Sequence, residues 1–481
     1  MSQACKRVIP QLVLTTLAHP LDDDAHCVQL PNGTEYFVRP TRDIVPGTRP
    51  SGRHSLGDGR FNLFPIVLGP DGSPWAEAVV YLLARLETAS SISMATYWAA
   101  AEDLAAFRRF LDETPSLDWV SFPIHKSQRP TYRYNGHLKI AVQAGEVSVT
   151  TARRRMSSVI AFYRWLAEEG VFKPENSPWT ESDRFVYLED SKGIKFSRKI
   201  TCTDVSIKVS KQDDPYEGVI EDGGKLRPLT VGEQEWLLEA LISVGNTEMT
   251  LIHLLGMVTG ARIQSILTFR VCHVMRSPED LQQVEHRIPI GPGTGIDTKR
   301  DKRLVLHVPF WLYQRLHVYA QSERARNRRA RASGGNVPDQ YLFLSRNGTP
   351  FYETKEKRSQ FDENLKIRHV KAGQAVRMFM TERIIPYIRE IYDPKFSYRF
   401  HDTRATFGMN MTDQQLSLVA AGHITLYEAR EFVKVRMGHD SSAVTDRYLQ
   451  FRNKINYVRN VQYCYGQHLQ ELMRASSGDI V

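Results

Sequence analysis

The sequence predicts a mainly α-helical protein with a small β-sheet, built as a helical domain followed by a larger mixed α/β domain. Three observations predict it. Apolar residues recur at helical spacing between residues 76 and 178. Thr230 and Glu233 form a capping-box pattern at the head of a second long segment, which runs from 226 to the end. Strand-like patterning is confined to short stretches such as KITCTDVSIKV and TKRDKRLVLHVPF. A chain of 481 residues has room for two or three domains with real cores.

Residues 1–75 are rich in Pro, Gly and Asp, with short apolar runs (EYFVRP, FNLFPIVLG). They read as an irregular or β-rich extension to which no chemistry can be assigned. Residues 76–178 form the helical domain. In SMATYWAAAEDLAAFRRFLDE, Tyr97, Leu104, Phe107 and Leu111 share one face. In SVTTARRRMSSVIAFYRWLAEEGV, Met156, Val159, Tyr163 and Leu166 do the same, with Thr150 or Thr151 as cap and Gly170 as stop. Arg153, Arg154 and Arg155 in the first turn oppose the helix dipole. Bound phosphates would offset that cost; a solvated basic turn would also tolerate it. Residues 179–225 read as a linker with some extended structure, running into the turn-rich EDGGKLRP. The second domain, 226–481, contains the basic run ERARNRRARASGG, either a solvated helix end or a phosphate-contacting loop.

The formal net charge is +9, and the pI is about 9.2. This excess points to an anionic partner, most often nucleic acid. Cys5, Cys27, Cys202, Cys272 and Cys464 lie far apart with no C-x-x-C pair, so neither a zinc ribbon nor a disulfide framework is indicated. Pro10 and Gln11 interrupt the opening MSQACKRVIPQLVLTTLAHP, which makes a poor signal peptide. The most apolar later run, TLIHLLGMVTGA, is too short to span a bilayer. The expected location is therefore cytoplasmic and nucleoid-associated, away from membranes.

Four segments of the second domain carry candidate chemistry. VTGARIQSILTFR places Arg262 at a Gly-Ala step before an apolar helix. TKRDKRLVLHVP places Lys299 and Lys302 on a β-turn. RFHDTRATF places His401 and Arg404 three apart, on one helix face. VRMGHDSSAVTDRYLQF places Tyr448 nine residues after His439. Each alone has an ordinary reading: an interhelical ion pair, a capping arginine beside a core histidine, a packing tyrosine among twenty. Taken in order, they resemble the tyrosine recombinase (phage integrase) family. Its members carry T-G-x-R, a lysine on a β-hairpin, H-x-x-R on a helix, then G-H and a tyrosine nine residues later. HDTRATF is similar to a shortened form of the family's H-x-L-R-H-x-F-A-T stretch. Residues 76–178 resemble its helical core-binding domain, so the resemblance spans roughly 76–460.

The resemblance implies a site-specific DNA recombinase of a mobile genetic element, cleaving and rejoining DNA through a 3′-phosphotyrosyl bond without metal, cofactor or ATP. It implies a C-shaped clamp on double-stranded DNA, a homo-tetramer on paired sites, and accessory DNA-bending or directionality proteins. By the same resemblance Tyr448 is the nucleophile, and Arg262 and Arg404 grip the non-bridging oxygens. His401 lies within reach of the tyrosine's proton, His439 donates to a phosphate oxygen, and Lys299 protonates the leaving oxygen, with Lys302 an alternative on the same arm. Arg153, Arg154, Arg155, Lys302, Arg303, Arg326, Arg328 and Arg329 are the expected DNA contacts. The residue types suit the task. A phenol, with a reference pKa of about 10, requires nearby cations to attack as phenolate. A guanidinium fork matches phosphate oxygens, and such donors are worth roughly 3 kcal/mol each in a transition state.

The chain also departs from the family pattern. Ser265 stands where an acidic residue often follows the first arginine, which puts in doubt a carboxylate that would orient Arg262. The gap from Arg404 to His439 is long and holds a second Gly-His, at His423; Tyr427 follows it too soon, so His423 reads as structural. The basic run 323–331 reads as an insertion, and residues 1–75 match nothing in the family. Three rival readings stand beside the recombinase: a type IB topoisomerase-like enzyme, an inactive DNA-binding protein of the same fold, and a metal-dependent phosphohydrolase using His401-Asp402 and His439-Asp440. The accompanying arginines and lysines would repel a cation in the last of these. After the tyrosine, Val458, Val461, Tyr465, Leu469 and Leu472 recur at helical steps. That face requires a partner surface, either its own domain or, by the resemblance, a neighbouring protomer.

Overall fold

The computed structural model describes residues 3–23, 25–29, 33–40, 60–87, 94–189, 195–208, 218–280, 284–354 and 371–477. The fold is mainly helical with small antiparallel sheets. It divides into two units, one within Met1–Lys211 and the other within Gln212–Val481.

The first unit opens with β1 (Cys5–Val13), β2 (Thr15–Leu17), β3 (His26–Gln29), β4 (Glu35–Pro40) and β5 (Arg60–Leu68). β4 lies between β2 and β3, and β1 pairs with β5. The β1–β5 register breaks at Pro10, which has no amide to donate. Opposite it Leu63 turns to φ 58°, and its carbonyl accepts the Trp98 indole N–H at 2.8 Å. Phe61, Phe64 and Val67 of β5 enter the core of the helices that follow, so β5 is built into this unit. Those helices are α1 (Ala76–Glu87), α2 (Met94–Asp112), α3 (Pro130–Gln143) and α4 (Val149–Glu168). The expected faces of α2 and α4 are buried. The α4 cap is Ser148, which accepts the Thr151 amide, because Thr150 and Thr151 are already helical. The stretch expected as linker forms a hairpin of β6 (Glu181–Glu189) and β7 (Lys195–Thr203). β7 stops where Asp204 takes the Thr180 amide and the Tyr132 hydroxyl.

The second unit begins with a minimal hairpin of β8 (Ile220–Glu221) and β9 (Lys225–Leu226). α5 (Val231–Val244) follows with both capping-box bonds formed by Thr230 and Glu233. Then come α6 (Thr247–Thr259), α7 (Ile263–Leu267), the hairpin of β10 (Glu285–Ile290) and β11 (Leu304–Pro309), α8 (Phe310–Gln321) and α9 (Glu323–Arg331). α10 (Gln374–Phe379) runs through a π turn into α11 (Ile385–Ile391), before α12 (Asp402–Ala420), α13 (Leu426–Met437) and α14 (Ser442–Ser477). α6 is central. Leu251, Ile252 and Leu255 share one core with Leu241 of α5, Val308 of β11 and Leu312 of α8. Each such burial contributes about 1.5–3 kcal/mol before the entropy of ordering. α12 crosses α6 at Gly256, where an added β-carbon would lie 2.8 Å from the Thr403 hydroxyl. A smaller core of Ile220, Phe407, Val433, Met437 and Tyr448 joins α12, α13 and α14. Among the described residues no helix is long and apolar enough to cross a membrane.

Candidate active site

The second unit brings the separated motifs to one place. Gly260 ends α6 in the left-handed region, φ 63°, and packs on Phe407 so closely that a β-carbon would come within 2.5 Å of the ring. The chain then extends through Arg262, the residue before α7. Ser265 donates to the Asp297 carbonyl at 2.8 Å. The position expected to be acidic therefore holds the loop that carries Lys299. Thr298 closes that loop on the Lys302 carbonyl at 2.6 Å, with Arg300 and Asp301 at φ 61° and 55°. His401 is the residue before α12 and Arg404 is its third residue, so both sit at the helix head. His439 follows Gly438, which ends α13 at φ 61°. Tyr448 lies near the start of α14, over Gly408 of α12, where any β-carbon would come within 2.4 Å of its ring.

Arg404, His439 and Tyr448 meet at a carboxylate that sequence reasoning missed. Asp222, at the tip of the β8–β9 hairpin, accepts from Arg404 Nε at 2.7 Å, His439 Nε2 at 3.2 Å and the Tyr448 hydroxyl at 3.1 Å. Arg262 lies 3.9 Å from its other oxygen. A β-carbon at Gly223 would lie 3.2 Å from Lys299 Nζ. Arg262, Lys299 and Arg404 line one small cleft. Arg404 is buried and also donates to the carbonyls of Gly260 and Met437, each at 2.8 Å, which aims its fork. Arg262 keeps a buried Nε with no acceptor. The only trace of Asp222 in the sequence is an acid beside two glycines ahead of a capping box.

The electrostatics follow from burial and charge. Asp222 is held well below the usual carboxylate range: desolvation opposes this, but bonding to His439 and the Arg404 charge outweigh it. The Tyr448 phenol is pushed up, first by burial and then by the Asp222 charge. Burial, with Arg262 and Arg404 nearby, lowers His401 to about 4, so it is neutral near pH 7 and able to accept a proton. His439 is also lowered by burial. A carboxylate only accepts, so His439 Nε2 carries the proton and Nδ1 accepts from Thr445, 2.9 Å away. Its ring lies nearly parallel to that of Tyr448, with centroids 5.7 Å apart.

The other predicted residues lie elsewhere. Lys302 is held by the Gly438 carbonyl and Asp440, so Lys299 is the arm lysine that reaches the cluster. Arg329 is buried, donating to Asn336 and the Ala320 carbonyl. Arg328 donates to the Leu344 carbonyl and pairs with buried Glu248. The structure corrects both as DNA contacts, because the fold takes their guanidinium groups. Arg326 is exposed and donates to Gln321; Arg303 is exposed. In the first unit Arg153 is exposed, Arg154 pairs with buried Asp103 at 2.9 Å, and Arg155 is half-buried. The two His-Asp pairs do not converge. Asp402 takes the Arg227 and Arg399 amides, and Asp440 takes Lys302. His423 and Tyr427 are exposed, outside the cluster.

No family model and no curated protein matches the chain. Among solved structures it is similar to the XerH site-specific recombinase bound to difH substrate in a pre-cleavage complex. That match has 12% identity over 80% of this chain and 88% of the other, with a TM-score of 0.42. It is also similar to the Tn1549 transposon integrase with transposon right end DNA, at 14% identity over 77% and 94% and a TM-score of 0.42. A third is the XerA recombinase, at 14% identity over 82% and 98% and a TM-score of 0.30. At these values the reading of the site rests on its own geometry.

Proposed function

We propose that this chain is a site-specific DNA recombinase that cuts and rejoins DNA through Tyr448. The observation that carries the reading is the buried Tyr448 hydroxyl held on an anion that Arg404 and His439 also grip, with Arg262 and Lys299 alongside. A phosphodiester in that position would meet two guanidinium groups, an imidazole N–H and an ammonium. The Tyr448 oxygen then bonds to phosphorus, its proton passes to neutral His401, and the bond to the 5′ oxygen breaks as Lys299 supplies a proton. Rejoining reverses each transfer, and the phosphotyrosyl ester retains the bond energy. Double-stranded DNA also fits the net charge of +9.

A paired-site recombinase requires contact between protomers; a topoisomerase does not. One observation favours the former. On α14 beyond the tyrosine, Val461, Tyr465, Leu469 and Leu472 are exposed, and the expected Val458 side chain lies outside the described residues. Among the described residues nothing buries this apolar face, which suits a neighbouring protomer in a tetramer on paired sites. The test is covalent capture on a pool of nicked duplexes of random sequence, resolved on a denaturing gel. The native protein should form an adduct and Tyr448→Phe none. An adduct with Tyr448→Phe would assign the nucleophile elsewhere. Relaxation of any plasmid without paired sites would favour a topoisomerase.

A further inference from the structure

The donors assigned above to the scissile phosphate are not idle in this structure: the tip of the β8–β9 hairpin occupies them. His439 has one Nε2 proton and Tyr448 one hydroxyl proton, and both are directed at Asp222. Neither can serve a phosphate while the carboxylate stays. Asp222 also presents what a phosphodiester presents, one negative charge shared over oxygens. We propose that the Asp222–Gly224 turn is a removable anionic stand-in for the scissile phosphate, which closes the site until DNA displaces it. The inference rests on the recombinase reading and adds its regulation.

The hairpin is built for such a movement. Its base is pinned: Ile220 and Leu226 are buried, Arg447 donates to the Glu221 carbonyl at 2.6 Å, and Arg399 donates to the Lys225 carbonyl. Its tip is three residues long. Gly223 at φ 71° and Gly224 at φ 158° hold conformations open to glycine and disfavoured for side chains. Within the hairpin the Asp222 amide is tied only to the Gly224 carbonyl, at 3.0 Å. The tip can therefore swing while the strands remain. Another buried acid of this unit shows the contrast. Glu248 is likewise held by two arginines and a tyrosine, but it sits in the first turn of α6 and cannot leave without unwinding the helix.

Closure has a measurable consequence. Apparent affinity for an anion falls by the fraction of molecules that are open, so a turn closed about 90% of the time weakens binding about tenfold. The experiment measures inorganic phosphate binding by 31P line broadening, and covalent capture on the nicked pool, for the native protein and Asp222→Asn. Asparagine keeps the shape and removes the charge. Phosphate should bind the variant about tenfold or more tightly, and adducts should form faster. Unchanged or weaker phosphate binding overturns the proposal and makes Asp222 a support for the arginines. A second measurement uses the native chain, should the variant fold poorly. Amide hydrogen exchange at Glu221–Lys225 should quicken with saturating phosphate; slowing or no change overturns displacement. If phosphate tightens in Asp222→Asn while neither protein forms adducts, the recombinase reading fails and the closure stands. If native adducts form while phosphate affinity is unchanged, the reverse holds.

Discussion

Two carboxylates in the second unit have nearly the same company. Glu248 is bound by Arg324, Arg328 and the Tyr319 hydroxyl. Asp222 is bound by Arg404 and the Tyr448 hydroxyl, with Arg262 close by. Both are buried, and both are lowered against desolvation, Glu248 by bonding to Arg324 and the Arg328 charge, Asp222, well below the usual range, by bonding to His439 and the Arg404 charge. They differ in what carries the acid and in what else faces it. Glu248 belongs to a helix, and among the described residues its partners include no lysine or histidine of the kind that Lys299 and His439 add around Asp222. A dense group of arginines is therefore not in itself a phosphate site. On the proposed reading it becomes one when its counter-charge can leave and a tyrosine hydroxyl lies beside it.

Arg404→Lys breaks the comparison most sharply. The guanidinium bridges Asp222 and two carbonyls at once, which an ammonium cannot do. Single-turnover capture on nicked DNA should fall about a hundredfold or more. A near-native rate would remove Arg404 from the site. Arg324→Lys should leave that rate within about twofold, since surface substitutions remote from a site are nearly neutral.

Glu248→Gln tests the other side. It leaves two arginines facing a neutral amide and should cost about 2 kcal/mol in urea unfolding, a figure reduced for the half-exposed Arg324. Inorganic phosphate affinity should not change. Tighter phosphate binding by this variant would make the Glu248 cluster a second anion site and end the distinction.

The histidines separate the clusters by pH. His401 titrates at about 4 in the folded protein, lowered by burial and then by Arg262 and Arg404, against about 6.5 in an unfolded chain. As pH falls, the unfolded chain takes the proton first. Stability should be level above about pH 7 and decline between about 6.5 and 4. Buried His253, also at about 4, contributes the same slope from the core. Asp222 works in a lower window: its stabilisation is present above about pH 4 and is lost only below it. By pH 5 the His401 share should be roughly 2 kcal/mol. Urea midpoints at pH 7, 6 and 5 should show it, with a shallower slope in His401→Gln. An equal slope in that variant would assign the effect to other groups.

The smallest effect on folding should come from truncation before Gln462. Of the apolar face it removes, Tyr465, Leu469 and Leu472 are 59%, 41% and 49% exposed. Stability should change by less than about 0.5 kcal/mol, with binding to one DNA site retained. Sedimentation of the protein on paired sites should show loss of the larger assembly. A truncated chain that still assembles would remove this face from the interface.

Much of the site was legible because its parts are local patterns. The Thr-Gly-Ala-Arg step, the three-residue gap from His401 to Arg404 and the nine from His439 to Tyr448 are set by helix ends and helix periodicity, which neighbouring residues determine. The faces of α2 and α4 and the Thr230 capping box were legible for the same reason. Asp222 was not. Its partners Arg404 and Tyr448 are 182 and 226 residues away, and a turn of acid and glycines has no periodicity to mark it. The basic run misled in the same way: its arginines are visible in sequence, but Glu248, 76 residues before Arg324, is not visibly theirs. The sequence by itself thus determined which helix faces turn inward and which cations and which tyrosine the chain brings to the site, since short-range sterics and hydrogen bonding decide those. Tertiary packing decided which anion neutralises each arginine, because a counter-charge is selected by distance in space and by the water excluded around it.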